Sequence, residues 1–172
     1  MRLTHCADSR VVVDEQNTPL AILEYEQVLR QGLLHRQVIL VILDHLGRMI
    51  LHKRPPSAAL YPGRWDCIGS TDIPLDTGAE DMAWSLMPAV LDQDTMHMRH
   101  LVSLPASPET GNAFVELFRA RISASSAHKL LHDLSFLATD QDELQALATS
   151  FPDQLTPTLF LTWTVLHNLK RR

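Results

Sequence analysis

The 172-residue chain has 45% apolar and 20% charged residues, the mixture of an ordinary globular protein rather than of a disordered one. A net charge of −5 argues against a dedicated nucleic-acid surface. No apolar run approaches the roughly 20 residues that span a bilayer, and the first ten residues lack the apolar stretch of a signal peptide. We therefore expect one cytoplasmic domain without a nucleic-acid or membrane partner.

The first third of the chain predicts a hairpin, a helix and the centre of a sheet. Apolar runs at residues 10–14 and 20–24 flank turn-forming residues, which is typical of a β-hairpin. Residues 25–31 have helical spacing and precede a glycine. The continuous apolar run at 37–43 indicates a strand buried on both faces, and 48–53 would return beside it.

The rest of the chain predicts further strands and two C-terminal helices. Residues 98–104 and 112–123 read as strands, and 135–138 as a short strand before a helix at 140–149. Thr156-Pro157 would open the last helix, since Thr caps well and Pro suits the first helical position. The expected organisation is a single α+β domain over residues 1–172, with an N-terminal hairpin and helix (about 10–32), a core (about 37–123) and C-terminal helices (about 135–172).

The segment 61–93 contains the least regular pattern. Pro62-Gly63 predicts a tight turn before Trp65, followed by a short strand and a loop. A helix is then expected to begin near Gly78. Residues suited to cap it and to lie in its first turn are Asp76, Thr77 and Gly78, then Glu80 and Asp81.

Several phrases in this order resemble the Nudix superfamily. They are VVVDEQNTPLAI, LLHRQVILVILDHLGRMILHKR, LYPGRWDCIGS, NAFVELFRARI and DELQALATSFPDQLTPTLF. The resemblance covers residues from about 10 to 160 and is to the branch that includes isopentenyl-diphosphate isomerase and its hydrolase-like relatives. It implies a mixed β-sheet sandwiched between helices.

The resemblance also implies a catalytic motif, Gly-x5-Glu-x7-Arg-Glu-U-x-Glu-Glu-x-Gly-U, where U is a bulky apolar residue. Its glutamates hold Mg²⁺, which clamps a diphosphate while water attacks phosphorus. Aligned without gaps on Trp65-Asp66, the motif keeps only its first apolar position, Met87. The other motif positions fall on Thr71, Thr77, Ser85, Leu86, Ala89, Val90, Asp92 and Gln93.

A helix face of Leu86, Ala89 and Val90 would offer no oxygen ligand to a hard cation, and Pro88 would disturb the helix. The sequence therefore predicts that standard Nudix hydrolysis is lost. The isomerase resemblance is also incomplete, because its cysteine position falls on Gly69. We expect Cys67 to be a small buried strand residue, whereas His35 matches a family histidine near the strand start.

Basic residues near the Pro-Gly turn are the predicted ligand-binding group. Arg54 and Arg64, with Lys53 beside them, could hold a phosphate through forked hydrogen bonds, and His35 joins them as a candidate. A solvated basic turn explains the three cations equally well.

Acidic residues give the catalytic and metal candidates. Asp72, Asp76 and Glu80 could hold a displaced metal ion, although helix capping also explains the last two. Glu80, Asp81 and Glu116 are the candidates for displaced catalytic carboxylates, and an outward-facing edge position is the alternative for Glu116.

Three hypotheses follow. The favoured one is a non-catalytic binding or regulatory protein for a nucleotide or another diphosphate ligand, with no cofactor. The first alternative is a hydrolase of nucleoside-diphosphate-linked compounds that needs Mg²⁺ or Mn²⁺ and uses relocated carboxylates. The second is an assembly role in which Leu86, Ala89 and Val90 form a homodimer or partner interface.

Overall fold

The computed structural model describes residues 9–91 and 96–170. Within these ranges the strands are β1 (Ser9–Val13), β2 (Pro19–Glu24), β3 (His35–Leu43), β4 (Met49–Lys53), β5 (Trp65–Asp66), β6 (Gly69–Asp72), β7 (His97–Leu104), β8 (Ala113–Arg121) and β9 (Phe136–Thr139). The helices are α1 (Tyr25–Gln31), α2 (Ala79–Ser85), α3 (Ala124–Leu131), α4 (Gln141–Ser150) and α5 (Pro157–Lys170), with a 3-10 turn at Pro152–Gln154 before the last.

Strand β3 is the centre of a mixed sheet, as its continuous apolar run predicts. It runs parallel to β8 over its full length. Its other edge pairs antiparallel with β6 and then with β4, and its first residue meets β1. Strand β7 continues the sheet beyond β8, and β9 pairs with β4. The N-terminal hairpin is confirmed, since β1 and β2 pair antiparallel around a turn in which Asn17 has φ 63°.

Helices cover both faces of this sheet, which confirms the predicted sandwich. Because a strand alternates its faces, Val38, Leu40 and Ile42 of β3 pack with α2 and α3. Ile39 and Val41, between them, pack with residues of α4 and α5. All five of these side chains are at least 99% buried, so β3 contributes to a hydrophobic core on each face of the sheet. We call the two sides of the sheet the α2 face and the α5 face.

Two features of the helices differ from expectation. Helix α2 ends at Ser85, so the segment from Leu86 onward is not a helix face, and Pro88 follows as a residue that a helix interior disfavours. Gly78 is its N-cap, without a side-chain cap from any residue, so Asp76 and Thr77 do not serve as caps. Helix α3 was not anticipated, although Ser123 caps it by accepting a hydrogen bond from the Ser126 N–H.

The two predicted C-terminal helices are confirmed, and each has a local cap at its start. Asp140 and Glu143 form a reciprocal capping box at the start of α4. Thr156 Oγ1 accepts a hydrogen bond from the Leu159 N–H, and Pro157 is the first residue of α5. Among the described residues, no helix combines the length and apolar character that crossing a membrane requires.

Candidate functional site

A cleft of about 450 Å³ opens on the α5 face of the sheet, at the end where β3 begins. Its floor comes from β3 and β6, and its walls from α1, the loops that follow β4 and β7, and the first turn of α5. The residues that shape its chemistry are Arg10, Tyr25, His35, Arg54, Tyr61, Asp66, Asp72 and Thr158.

One side of the cleft is organised by Arg10. Its Nε donates a hydrogen bond to Asp72 Oδ2 at 2.5 Å, and its Nη1 lies 3.2 Å from His35 Nε2. The guanidinium also lies over the Tyr25 ring, 3.9 Å from the centroid. Since His35 Nδ1 donates to the Leu33 carbonyl, Nε2 of the neutral ring accepts from Arg10. These contacts fix one arrangement of an arginine, a carboxylate and a neutral imidazole.

Burial shifts both titrating members of this group. Desolvation lowers the pKa of His35, which is 3% exposed, and the Arg10 charge adds to that effect. Burial also raises the pKa of Asp72 from its ordinary value, against the opposing influence of Arg10. Asp72 Oδ1 is buried and meets no hydrogen-bond donor in the described part of the chain. Asp72 therefore holds one buried acceptor oxygen beside the cleft that no described residue satisfies.

The opposite side of the cleft is organised by Asp66, which is 5% exposed. Its Oδ1 accepts hydrogen bonds from the Cys67 N–H at 2.8 Å and from Thr156 Oγ1 at 2.7 Å. Its Oδ2 pairs with Arg54 Nη1 at 3.1 Å. Asp66 therefore joins β5, the start of α5 and the loop after β4, which is a structural task as much as a ligand-binding one.

The first turn of α5 gives the cleft its anion-attracting feature. This 14-residue helix begins at Pro157, and Thr158 and Leu161 face the cleft. No acidic residue lies in its first turn. The N-terminal end of a helix carries partial positive charge and free N–H donors, so it favours a phosphate or carboxylate beside it.

The predicted ligand-binding residues separate into two groups. His35 and Arg54 line the cleft. Lys53 and Arg64 are not among its lining residues. The Lys53 ammonium instead lies over the Trp65 ring, 5.6 Å from the centroid, and Arg64 lies over the Tyr61 ring and donates to the Leu155 carbonyl.

The predicted carboxylates are also dispersed. Asp72 lies in the cleft, whereas Asp76, Glu80 and Asp81 are exposed in and before α2, a helix that packs on the other face. Glu116 is level with Val38 on the α2 face, where it accepts from Ser103 Oγ and contacts His100 Nε2, each at 2.6 Å. In the described ranges, no group of three or more His, Cys, Asp and Glu side chains is arranged to hold a metal ion.

The residues at the motif positions after α2 differ in how far they are exposed to solvent. Leu86 packs partly into the core, against Gly69. Ala89 is exposed and Val90 is 53% exposed, so these two remain open to a partner. Asp92 and Gln93 lie outside the described residues.

Cys67 is buried as predicted, but it lies in the connection between β5 and β6 and not in a strand. Burial and the nearby Asp66 carboxylate raise the pKa of its thiol well above the ordinary value, which disfavours the nucleophilic thiolate.

Sequence reasoning missed Arg10, Tyr25, Tyr61 and Asp66. Arg10 is a charged residue directly before three consecutive valines, and that contrast is the signal that could have singled it out. The role of Asp66 depends on contacts with Arg54 and Thr156, which are 12 and 90 residues away.

Comparison with known proteins gives partial matches in sequence. No protein-family profile matches the chain. An uncharacterized Nudix hydrolase of Pseudomonas aeruginosa is 35% identical over 54 residues, which is 31% of this chain and 32% of the relative's own length. A prenyl-diphosphate phosphatase of Methanosarcina mazei is 25% identical over 130 residues, covering 73% of this chain and 75% of that protein.

Solved structures match over more of the chain. A Deinococcus radiodurans protein, DR0079, aligns with a TM-score of 0.67 at 17% identity, covering 83% of this chain and 90% of its own. The Nudix hydrolase RenU of M. smegmatis covers 94% of this chain and 95% of its own, with a TM-score of 0.53 at 12% identity. At these identities the structural likeness bears on the fold alone.

Proposed function

We propose that this chain, which belongs to the Nudix superfamily, is a binding or regulatory protein that holds a nucleotide or another diphosphate compound without hydrolysing it. The ligand occupies the cleft, with its phosphates toward the start of α5 and toward Arg10 and Arg54. No metal ion takes part in this binding.

The observation that carries the proposal is the pairing of carboxylates with arginines in the cleft. Asp72 is bonded to Arg10, and Asp66 is bonded to Arg54. A hard cation needs several oxygen ligands that are free to converge on it. Carboxylates held by arginines have their charge already neutralised, so they attract a divalent cation weakly, and the preference for an anion comes from the start of α5 and the remaining arginine donors.

The residues at the motif positions support the same conclusion. Leu86, Ala89 and Val90 stand where the family has metal-binding glutamates, and none carries an oxygen in its side chain. The acidic residues of α2, Glu80 and Asp81, are exposed, and the helix packs against the other face of the sheet. Loss of the motif is therefore part of the proposal.

Donors remain for the ligand. Arg10 uses its Nε and Nη1 for the contacts with Asp72 and His35. Arg54 donates from Nε to the Leu60 carbonyl and from Nη1 to Asp66. Within the described residues their Nη2 groups make no hydrogen bond, and a phosphate can accept from both of them. Tyr25 and Tyr61 line the same cleft and offer apolar ring surface to a base or another flat group.

The experiment is a calorimetric titration with a nucleotide sugar, a dinucleotide, a nucleoside triphosphate and an isoprenoid diphosphate, each in EDTA. We expect at least one of these compounds to bind without a divalent cation. Thr158→Glu places a carboxylate at the start of α5, where the helix tolerates it, and should weaken binding at least about tenfold by charge repulsion.

The matched control is Thr164→Glu, which makes the same change at an exposed position farther along α5. It should leave affinity within about twofold, since the position lies outside the cleft. Equal losses in the two variants, or no binding of any compound to the unaltered chain, would overturn the proposal.

A metal-dependent hydrolase is the second candidate, and one observation favours it. The chain aligns with the prenyl-diphosphate phosphatase of Methanosarcina mazei over 73% of its own length. In this case the catalytic carboxylates would have moved, and Glu80, Asp81 and Glu116 are the ones to substitute. The hydrolase hypothesis predicts phosphate release that needs Mg²⁺ or Mn²⁺, whereas the favoured hypothesis predicts none.

A further inference from the structure

A pocket of about 390 Å³ lies on the same face of the sheet, at the opposite end of α5. It is bounded by the ends of β3 and β8, by β7, and by α4 and α5. Its walls are mainly apolar, with contributions from Leu43, Met49, Leu101, Leu144, Trp163 and Leu166. None of these residues lines the cleft, so the pocket is a separate site.

Cationic side chains stand where this pocket meets the edge of the sheet. Arg99 of β7 is directly opposite Arg119 of β8, and His97 is opposite Arg121. Arg99 and Arg119 line the apolar pocket, and all four residues line a neighbouring depression of about 390 Å³. In the described part of the chain none of the three arginines forms an ion pair.

This arrangement is unfavourable for the protein alone. Like charges directly opposite one another on neighbouring strands repel. Burial and the nearby charges of Arg99 and Arg121 lower the pKa of Arg119, which is the direction expected when a cation lacks a counterion. An anion bound between Arg99 and Arg119 would relieve this repulsion.

The polar groups in the pocket wall do not compensate for the arginines. The carboxylate in the wall, Asp140, caps α4 by accepting from the Glu143 N–H at 2.8 Å. The indole N–H of Trp163 is buried and has no acceptor among the described residues. A buried donor without a partner is costly, and Trp163 is one of the residues that line the pocket.

We propose that this pocket is a second ligand site, for a small amphiphile with one hydrocarbon chain and an anionic head group. The hydrocarbon chain packs between α4, α5 and the sheet, and the phosphate or carboxylate head lies on Arg99 and Arg119. A volume of about 390 Å³ is near the lower end of small-molecule pockets, which are about 300–1,000 Å³, so the hydrocarbon chain is short. This site is independent of the cleft and of the function proposed for it.

The test uses octyl phosphate as the probe, titrated into the full chain in EDTA and followed by calorimetry. We expect octyl phosphate to bind, and 1-octanol and inorganic phosphate to bind at least about tenfold more weakly, because each lacks one of the two required parts. No binding of octyl phosphate, or equal binding of inorganic phosphate, would overturn the proposal.

Substitutions locate the site. Arg99→Gln with Arg119→Gln should reduce affinity for octyl phosphate at least about tenfold, since charged hydrogen bonds are lost. The control removes two positive charges elsewhere, by Arg30→Gln on α1 and Lys129→Gln on α3, which are both exposed, and should change affinity less than about twofold. A loss of the same size in both pairs would show that the effect is general electrostatics and would overturn the assignment.

A further variant distinguishes the pocket from the cleft. Thr158→Glu, which weakens ligand binding in the cleft, should leave octyl phosphate binding unchanged. Loss of octyl phosphate binding in this variant would place the ligand in the cleft and overturn the proposal. Cosedimentation with phosphatidylglycerol vesicles separates a free amphiphile from a bilayer lipid. We expect the protein not to cosediment with the vesicles. If it does, and if the Arg99→Gln, Arg119→Gln variant does not, the ligand is a bilayer lipid and the free-amphiphile assignment is overturned.

Discussion

The two sites at the ends of α5 differ in how their arginines are used. In the cleft, Arg10 and Arg54 are each bonded to a buried or half-buried aspartate. At the pocket, Arg99 and Arg119 face each other, and no described carboxylate pairs with them. Removing one member of a fixed pair leaves its partner uncompensated, whereas removing clustered like charges relieves repulsion. Opposite responses to substitution should therefore separate the two sites.

The largest expected effect is at Asp66. Asp66→Ala removes the acceptor of three groups, leaving Arg54, Thr156 Oγ1 and the Cys67 N–H without their partner. We expect a loss of about 2–4 kcal/mol in the free energy of unfolding, measured by urea denaturation, because the buried Cys67 N–H and Thr156 hydroxyl lose their acceptor, whereas Arg54 is 31% exposed and can bond to water. Asp66→Asn keeps one acceptor oxygen and should cost less; an equal loss would show that packing and not pairing sets the effect.

The arginines of the pocket should respond in the opposite direction. Arg99→Gln with Arg119→Gln removes repulsion between opposing strands, so the free energy of unfolding should stay unchanged or rise by up to about 1 kcal/mol. The same urea denaturation experiment measures it, with the octyl phosphate affinity of the variant as the paired readout. A loss of stability of more than about 1 kcal/mol would mean that these arginines are structural, as in the cleft.

The pH dependence of stability tests the Arg10 side of the cleft. The pKa of His35 is lowered by burial, so the unfolded chain binds its proton more readily than the folded protein. Its contribution to stability is therefore present above the unfolded pKa, near 6.5, and is lost as pH falls from there toward the folded pKa. Asp72 has the opposite effect. Because its pKa is raised in the folded protein, its contribution to stability decreases as the pH rises above the pKa of the unfolded chain.

His35→Gln should accordingly flatten the decline in stability between pH 7 and pH 5, measured as the urea midpoint at each pH. A part of the slope will remain, because burial also lowers the pKa of His52. His45→Gln, at an exposed position in the β3–β4 turn, is the control and should leave the slope as it is. An unchanged slope in His35→Gln would contradict the buried, neutral imidazole in the cleft.

The smallest expected effect is at the predicted metal carboxylates. Glu80→Gln with Asp81→Asn alters two exposed residues of α2, so the free energy of unfolding should change by about 0.5 kcal/mol or less. Binding of the cleft ligand in EDTA should not change either. A dependence of melting temperature on Mg²⁺ that disappears in this variant would reveal a metal site on α2.

The fold was predictable because apolar periodicity and caps are local signals. The buried run of β3, the Asp140 and Thr156 caps and the Asn17 turn all have their cause within a few residues. The cap of α3 is a local signal of the same kind, since Ser123 and Ser126 are three residues apart. The family motif predicts a longer α2 than the structure has, because Pro88 is unfavourable in a helix interior and α2 ends at Ser85.

The sites were less predictable because their contacts are distant in sequence. Arg10 and Asp72 are separated by 62 residues, and Asp66 and Thr156 by 90. The pairing of Arg99 with Arg119 depends on strand register, which shifts between His100 and Val102. Such juxtapositions are set by topology and by an irregularity of β7, neither of which residue spacing reveals.

The most direct measurement of the central claim is phosphate release at high protein concentration. The chain is incubated with the four diphosphate compounds in Mg²⁺, in Mn²⁺ and in EDTA, at the concentrations that saturate binding. We predict that a compound is bound and that phosphate release does not exceed the protein-free background under any of these conditions. Turnover that EDTA abolishes, and that Glu80→Gln with Asp81→Asn also abolishes, would contradict it and establish a hydrolase with a relocated metal site.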